Sequence, residues 1–203
     1  MTDGVEAKIL AAAITCLERH GVEGTGIREI AKEAGVNSAA ISYYFRSKDN
    51  LLAKALAQTL DQAFTQVPAD YEALLASGLD GRRAFEELLA RYLFHAAKYP
   101  RISFANLHEI ISEQRYTGPA VAMVHSLLDT LTAKLASTFP GRSRKDLRLG
   151  LGQIWAAVLG WSMAPELFAT AKQLDCKSEE QCRRWARQII SVLDAPGSSR
   201  AGD

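Results

Sequence analysis

The chain has few cysteines, no long apolar run and no excess charge of either sign. Cys16, Cys176 and Cys182 are the only thiols among 203 residues. So sparse and odd a set fits reduced thiols rather than a disulfide framework. Cys176 and Cys182 are also too far apart in sequence for the short Cys-Cys spacing of a zinc site. The most apolar run, Ile154 to Ala164, falls short of the roughly 18 to 20 residues of a membrane span. No basic stretch followed by an apolar core opens the sequence, so no secretory leader and no membrane partner are expected, and the expected compartment is the cytoplasm. The net charge of +1 excludes a surface that is basic all over, but not a local basic face. Alternating β-branched runs and Asn-Gly hairpin signals are missing, which argues against sheets. Walker loops, nucleophile elbows, dinucleotide fingerprints and a His-Glu-x-x-His pattern are missing as well. Neither an enzyme nor a metal or cofactor is expected.

What is present is helical periodicity. Hydrophobic residues make up 48% of the chain, enough for real cores. Ile9, Ala12, Ala13, Cys16 and Leu17 form one apolar stripe that stops at Gly21. Ile27, Ile30, Ala31 and Ala34 repeat it over a short helix that Thr25 is placed to cap and Gly35 to end. Asn37 is placed to cap a third helix carrying Ala40, Ile41, Tyr44 and Phe45, and Ser47 a fourth, longer one to Phe64. Further helices are expected over 70–79, 82–99 (ended by Pro100), 102–114, and from Pro119 to about Thr138. Arg144–Ala164, ended by Pro165, is apolar almost all round and is expected to be deeply buried. Ser178-Glu-Glu-Gln181 reads as a capping box for a last helix reaching Leu193.

The stretch from Gly21 to Lys54 has the layout of a helix-turn-helix. Ile27, Ile30 and Ala31 pack the first helix, and Ala34-Gly-Val-Asn37 turns the chain. If Ile41, Tyr44 and Phe45 face inward, then Ser38, Ala39, Ser42 and Tyr43 face outward. That outer face is small except for one tyrosine, so the backbone can approach base edges in a major groove. After Glu33 the next charges are Arg46, Lys48, Asp49 and Lys54, mostly basic. Arg28 and Lys48 flank the outer face as candidate phosphate contacts.

The order Ile9…Leu17…Gly21…Thr25-Gly-Ile-Arg-Glu-Ile-Ala31…Ala34-Gly-Val-Asn37…Ile41-Ser-Tyr-Tyr-Phe45-Arg-Ser-Lys48…Leu51-Leu52 resembles the N-terminal domain of the TetR family of bacterial transcription regulators. The resemblance covers about residues 5–55. It implies an all-α chain: a three-helix DNA-binding domain over 1–47, a larger helical ligand-binding and dimerisation domain over 48–195, and a disordered tail over 196–203. It implies DNA contacts from Thr25, Arg28, Asn37, Ser38, Ala39, Ser42, Tyr43 and Lys48. It also implies a homodimer, a double-stranded palindromic operator and an unidentified small-molecule inducer that releases a repressor. The alternative is a regulator without such an inducer, answering to a protein partner or constitutive. Two positions depart from the family pattern. Gly26 stands where a hydroxyl or small residue is usual, and Ser42 where a tyrosine is common, which shifts the aromatic contact to Tyr43.

In the C-terminal part, Tyr92, His95, Phe104, His108, Trp155 and Trp161 lie on helices expected to surround a cavity, and are the candidate ligand contacts. His125 is a further pocket candidate. Gly150, Gly152, Ala156, Ala157 and Gly160 make a small-residue stripe that permits close helix approach. The candidate dimer seam takes Gly152, Ala156 and Gly160 from it, with Trp185 and Ile189 from the last helix.

Overall fold

The computed structural model describes residues 3–112, 114, 116–169 and 178–194. Cys176 and the 196–203 tail lie outside the described residues. Every regular element among them is helical: α1 (Asp3–Gly24), α2 (Ile27–Ala34), α3 (Ser38–Phe45), α4 (Lys48–Thr65), α5 (Val67–Ala76), α6 (Gly81–Ala96), α7 (Pro100–Ser112), α8 (Pro119–Leu135), α9 (Arg144–Met163), α10 (Pro165–Ala169) and α11 (Glu179–Ile190), followed by a 3-10 turn over Ser191–Leu193. The preceding helices end at Ala96 and Met163, short of Pro100 and Pro165, and each proline opens the next helix, because proline fits a first turn, where its missing N–H costs nothing.

The chain divides into two compact units. Unit 1 takes residues 1–63 and 99–116, and unit 2 takes 64–98 and 117–203. This division differs from the boundary expected at 47. Most of α4 and all of α7 group with the N-terminal helices, and the core of unit 1 shows why. Ile9, Ala12, Ala13, Cys16 and Leu17 of α1 meet Ile30 and Ala31 of α2, Ile41 and Phe45 of α3, Leu51, Leu52 and Ala55 of α4, and Ile102 of α7, all buried. The first three helices alone bury too little apolar surface, and α4 and α7 complete the cluster.

In unit 2, α6 contributes Phe85, Leu88, Leu89 and Leu93, and α9 contributes Leu147, Leu151, Ile154 and Trp161, to a core shared with Cys182, Ala186 and Ile190 of α11. α9 is not buried all round. Leu149 is 65% exposed, Gln153 and Ala156 are exposed, and a Cβ added at Gly152 would meet nothing within 4 Å. Gly150 faces the other way, where a Cβ would lie 2.5 Å from Leu193 Cδ2. The small-residue stripe is therefore two faces: one packs inside the unit and the other is open. Ser178 accepts from the Gln181 N–H as expected of a cap. Gln181 Oε1 is buried without a partner among the described residues, so the return half of the capping box is not made.

Candidate nucleic-acid interface

The helix-turn-helix is built by local chemistry. Gly21 leaves the helical region at φ 71°, ψ −179°. The Thr25 hydroxyl donates to the Gly21 carbonyl at 2.6 Å. Thr25 is 0% exposed, and the N-cap of α2 is Gly26, with no side-chain cap. This corrects the expectation that Thr25 caps α2, and it keeps the hydroxyl from a DNA backbone. Gly35 closes α2 at φ 67°, ψ 32°, a left-handed cap that suits glycine. Val36 N–H then donates to the Ala31 carbonyl at 3.0 Å, and its side chain packs on the core. Asn37 accepts from Ala40 N–H at 2.8 Å and starts α3.

On α3, Ile41 and Phe45 are buried and Tyr44 packs partly against the core. Asn37, Ser38, Ala39 and Ser42 are exposed, and Tyr43 is 80% exposed. Tyr44 meets Tyr43 edge to face, with centroids 5.2 Å apart, and so braces the projecting ring. The structure thus gathers Asn37, Ser38, Ala39, Ser42 and Tyr43 on one outward face of α3, with Arg28 exposed on α2 and Lys48 half-buried at the start of α4.

Charge pairing leaves that side cationic. Arg19 pairs with Glu33 at 2.8 Å, and His20 Nε2 lies 2.7 Å from Glu29 Oε1, an ion pair only when the imidazole is protonated. His20 therefore ties α1 to α2. Lys54 pairs with Glu6 at 3.3 Å and sits 5.4 Å from the Phe45 ring centroid. With both acids of α2 engaged by α1, no ion pair among the described residues takes up Arg28, Lys32, Arg46 or Lys48.

A second set of contacts was invisible to sequence spacing. Ile102 N–H donates to Glu18 Oε2 at 3.1 Å, Arg101 Nη1 to the Arg19 carbonyl at 2.8 Å, and Asn106 Nδ2 to Thr59 Oγ1 at 3.0 Å. These tie α7 to α1 and to α4. Burial pushes the Glu18 carboxyl above its usual range, and the Ile102 and Arg101 amides pull it partly back.

The six candidate ligand contacts divide between the two units. Phe104 and His108 belong to unit 1, where Phe104 is 54% exposed and the two rings lie 5.8 Å apart. The other four belong to unit 2. Trp161 is 2% exposed; its Nε1 donates to the Leu93 carbonyl at 3.0 Å, and its ring lies 4.2 Å from that of Trp185. It is a satisfied core residue. Trp155 packs on Phe64 at 5.0 Å. Tyr92 is half-buried, and its hydroxyl, bonded to Asp70, is pushed up to about 12, mostly by burial. His95 lines a groove of about 350 Å³, with Glu87, Ala90, Arg91, Phe94, Glu179 and Arg183. His125 is exposed on α8. No three metal-ligating side chains converge among the described residues. Of the seam candidates, Gly152 and Ala156 lie on the open face of α9. Gly160, Trp185 and Ile189 are half-buried.

A short recognition helix with a small outer face, set by a glycine turn on a first helix packed through Ile30 and Ala31, defines a helix-turn-helix DNA-binding protein. Residues 9–55 match the model of the bacterial regulatory proteins of the tetR family. The chain is 33% identical over 174 residues to the HTH-type transcriptional dual regulator CecR of Shigella flexneri, covering 77% of this chain and 78% of that protein. It belongs to the TetR family of transcription regulators. Solved structures share the fold. FadR from Bacillus subtilis in complex with stearoyl-CoA has a TM-score of 0.63 and 14% identity over 94% of this chain and 98% of that one. A TetR-family regulator from Mesorhizobium loti has a TM-score of 0.63 and 14% identity over 95% and 98%. No helix among the described residues is long and apolar enough to cross a membrane.

Proposed function

We propose that this chain is a cytoplasmic, dimeric repressor that binds a palindromic operator and is released by a small molecule bound in unit 2. The observation that carries the DNA side is the outward face of α3: Ser38, Ala39 and Ser42 leave room for close approach, Tyr43 projects from them, and Arg28 and Lys48, without an ion pair among the described residues, flank them. Alanine methyls meet thymine methyls, serines meet base edges, and Tyr43 with Lys48 holds phosphates. The open face of α9 around Leu149, Gly152 and Ala156 supports a seam with a second copy. A dimer places two recognition helices about 34 Å apart, in successive major grooves.

Release requires a ligand that binds best to a conformer in which that spacing is wrong. The same fold holds stearoyl-CoA in FadR of Bacillus subtilis, which supports a small-molecule trigger. The chain passes between the units at 63/64, 98/99 and 116/117. The routes to the recognition helix are therefore α4 and α7, the latter tied to α1 through Glu18 and Arg101.

The test uses a duplex of about 30 base pairs selected from a randomised pool by the wild-type protein. Tyr43→Ala with Lys48→Ala is expected to cut affinity about tenfold or more at about 0.15 M salt, and to flatten the logarithmic salt slope by about one for the lost lysine. Unchanged affinity in the double variant, or a wild-type slope near zero, rejects this interface.

A further inference from the structure

Two residues, Arg46 and Ser47, separate the recognition helix from the next helix, and the backbone of the first is strained. Arg46 has φ 65° and ψ −42°. The Phe45 carbonyl before it accepts from the Ser47 N–H after it at 2.7 Å. Together these make a γ-turn of the rare positive-φ hand, which brings an L side chain too close to its own backbone. Glycine takes this conformation readily, yet the sequence places arginine here.

The turn persists because both sides are pinned. Arg46 N–H still donates to the Ser42 carbonyl at 3.0 Å, the last bond of α3. Ser47 already caps α4, its hydroxyl accepting from Asn50 N–H at 3.1 Å and its carbonyl from Leu51 N–H at 3.2 Å. Phe45 and Leu51 are buried on the two sides. Lys54 of α4 lies over the Phe45 ring while paired with Glu6 of α1. With Ser47 held by its cap bonds, the Arg46 dihedrals set how Lys48 stands relative to Tyr43.

We propose that Arg46 is a positioning residue for DNA binding: its positive-φ turn aligns the Lys48 ammonium with the Tyr43 hydroxyl on one DNA backbone. This rests on the interface proposed above. The Arg46 guanidinium, exposed and without an ion pair among the described residues, adds charge to the same side. The backbone role and the charge role separate by substitution. Glycine keeps the turn and removes the charge. Alanine and valine remove the same charge and make the turn progressively harder to hold, valine most because it is β-branched.

The experiment measures affinity for the selected duplex, its salt slope and thermal unfolding for Arg46→Gly, Arg46→Ala and Arg46→Val, each with Lys48 and with Lys48→Ala. Arg46→Gly is expected to shift the unfolding equilibrium toward the folded state by about fivefold. It should lower the logarithmic salt slope by no more than about one. Affinity should then fall in the order Gly, Ala, Val, with Val about tenfold below Gly while still folded at the assay temperature. That spread should collapse in the Lys48→Ala background, since there is no ammonium left to misplace. Should Val fail to fold, the Gly–Ala difference and its collapse carry the test. Equal affinities for the three variants, or a spread that survives Lys48→Ala, overturn the proposal while leaving the interface standing. A wild-type protein that selects no duplex removes the interface itself.

Discussion

Arg82, Arg91, Arg148 and Arg183 of unit 2 each hold a carboxylate: Asp194, Glu87, Asp129 and, for Arg183, Glu87 again. Arg144, Lys145, Arg184 and Arg187 of the same unit hold none among the described residues, and in unit 1 the cations divide as well. Arg19 and Lys54 tie α1 to its neighbours, whereas Arg28, Lys32, Arg46 and Lys48 hold no carboxylate among the described residues. Exposed pairs of this kind contribute only about 0 to 1 kcal/mol each, so unit 2 is not chiefly held by them. The lesson is about use. Where a cation is partnered within its unit it orients helices. Where four are left unpartnered around α2 and α3, their field is available to a polyanion. Both units are held by their cores, and what sets unit 1 apart is that its unpaired cations stand on and beside the recognition helix.

The largest expected effect tests the core of unit 2. Trp161→Ala removes a fully buried indole, its bond to the Leu93 carbonyl and its contact with Trp185. A loss of about 3 to 5 kcal/mol is expected in denaturant unfolding. Tyr43→Ala, by contrast, should change stability by less than about 0.5 kcal/mol, because its ring is mostly in solvent. If Trp161→Ala were tolerated like Tyr43→Ala, the tryptophan would line a space rather than fill a core, and its place among the ligand candidates would return.

A sharper cut lies within α9. Gly150→Ala forces a methyl to within 2.5 Å of Leu193 Cδ2 and is expected to cost about 1 to 3 kcal/mol. Gly152→Ala meets open space in the single chain, so helix propensity alone predicts a gain of up to about 1 kcal/mol. If the open face is the seam between copies, the same methyl weakens self-association, read by sedimentation at several concentrations. A Gly152→Ala protein that is stabilised and associates as tightly as wild type places the seam elsewhere. Sequence spacing put both glycines in one stripe; the structure shows them on opposite faces.

The elements that were legible in the sequence are those fixed by neighbours in the chain. Gly35, Asn37 and Ser47 mark turn and caps because the backbone demands a positive φ or a side-chain acceptor at those positions. The outer face of α3 follows from the same period that buries Ile41 and Phe45. What escaped depends on distance or on compensation. Glu18 meets Ile102 across 84 residues, and no local pattern announces a carboxylate at the start of α7. Arg46 takes a glycine conformation without being glycine, because packing on either side holds it there. Thr25 offers the same hydroxyl to a cap, a phosphate or a carbonyl, and only the break at Gly21 decides for the carbonyl. Trp161 is large and apolar, which a core and a pocket want equally.

The smallest expected effect separates the units by the sign of their response to acid. In unit 2 the Arg183 hydrogen bond holds Glu87 below its ordinary value near 4.5, and Arg82 holds Asp194 below its ordinary value near 3.8. Lowered carboxyl values give stability that is present above the unfolded value and lost as pH falls through the folded one. In unit 1 burial outweighs the amide bonds and raises Glu18 above 4.5. Its contribution is therefore present below the unfolded value and lost as pH rises through the folded one. Glu87→Gln should then destabilise at pH 7 and matter less at pH 3. Glu18→Gln, which keeps an acceptor for Ile102 N–H, should stabilise slightly at pH 7 and also matter less at pH 3. Each shift should stay under about 1 kcal/mol, since these groups are only partly shielded from water. Chemical denaturation of the two variants at both pH values reads the signs. Two shifts in the same direction would mean that Glu18 works as a paired surface charge, and that the contrast in how the units use charge fails at the junction of α1 with α7.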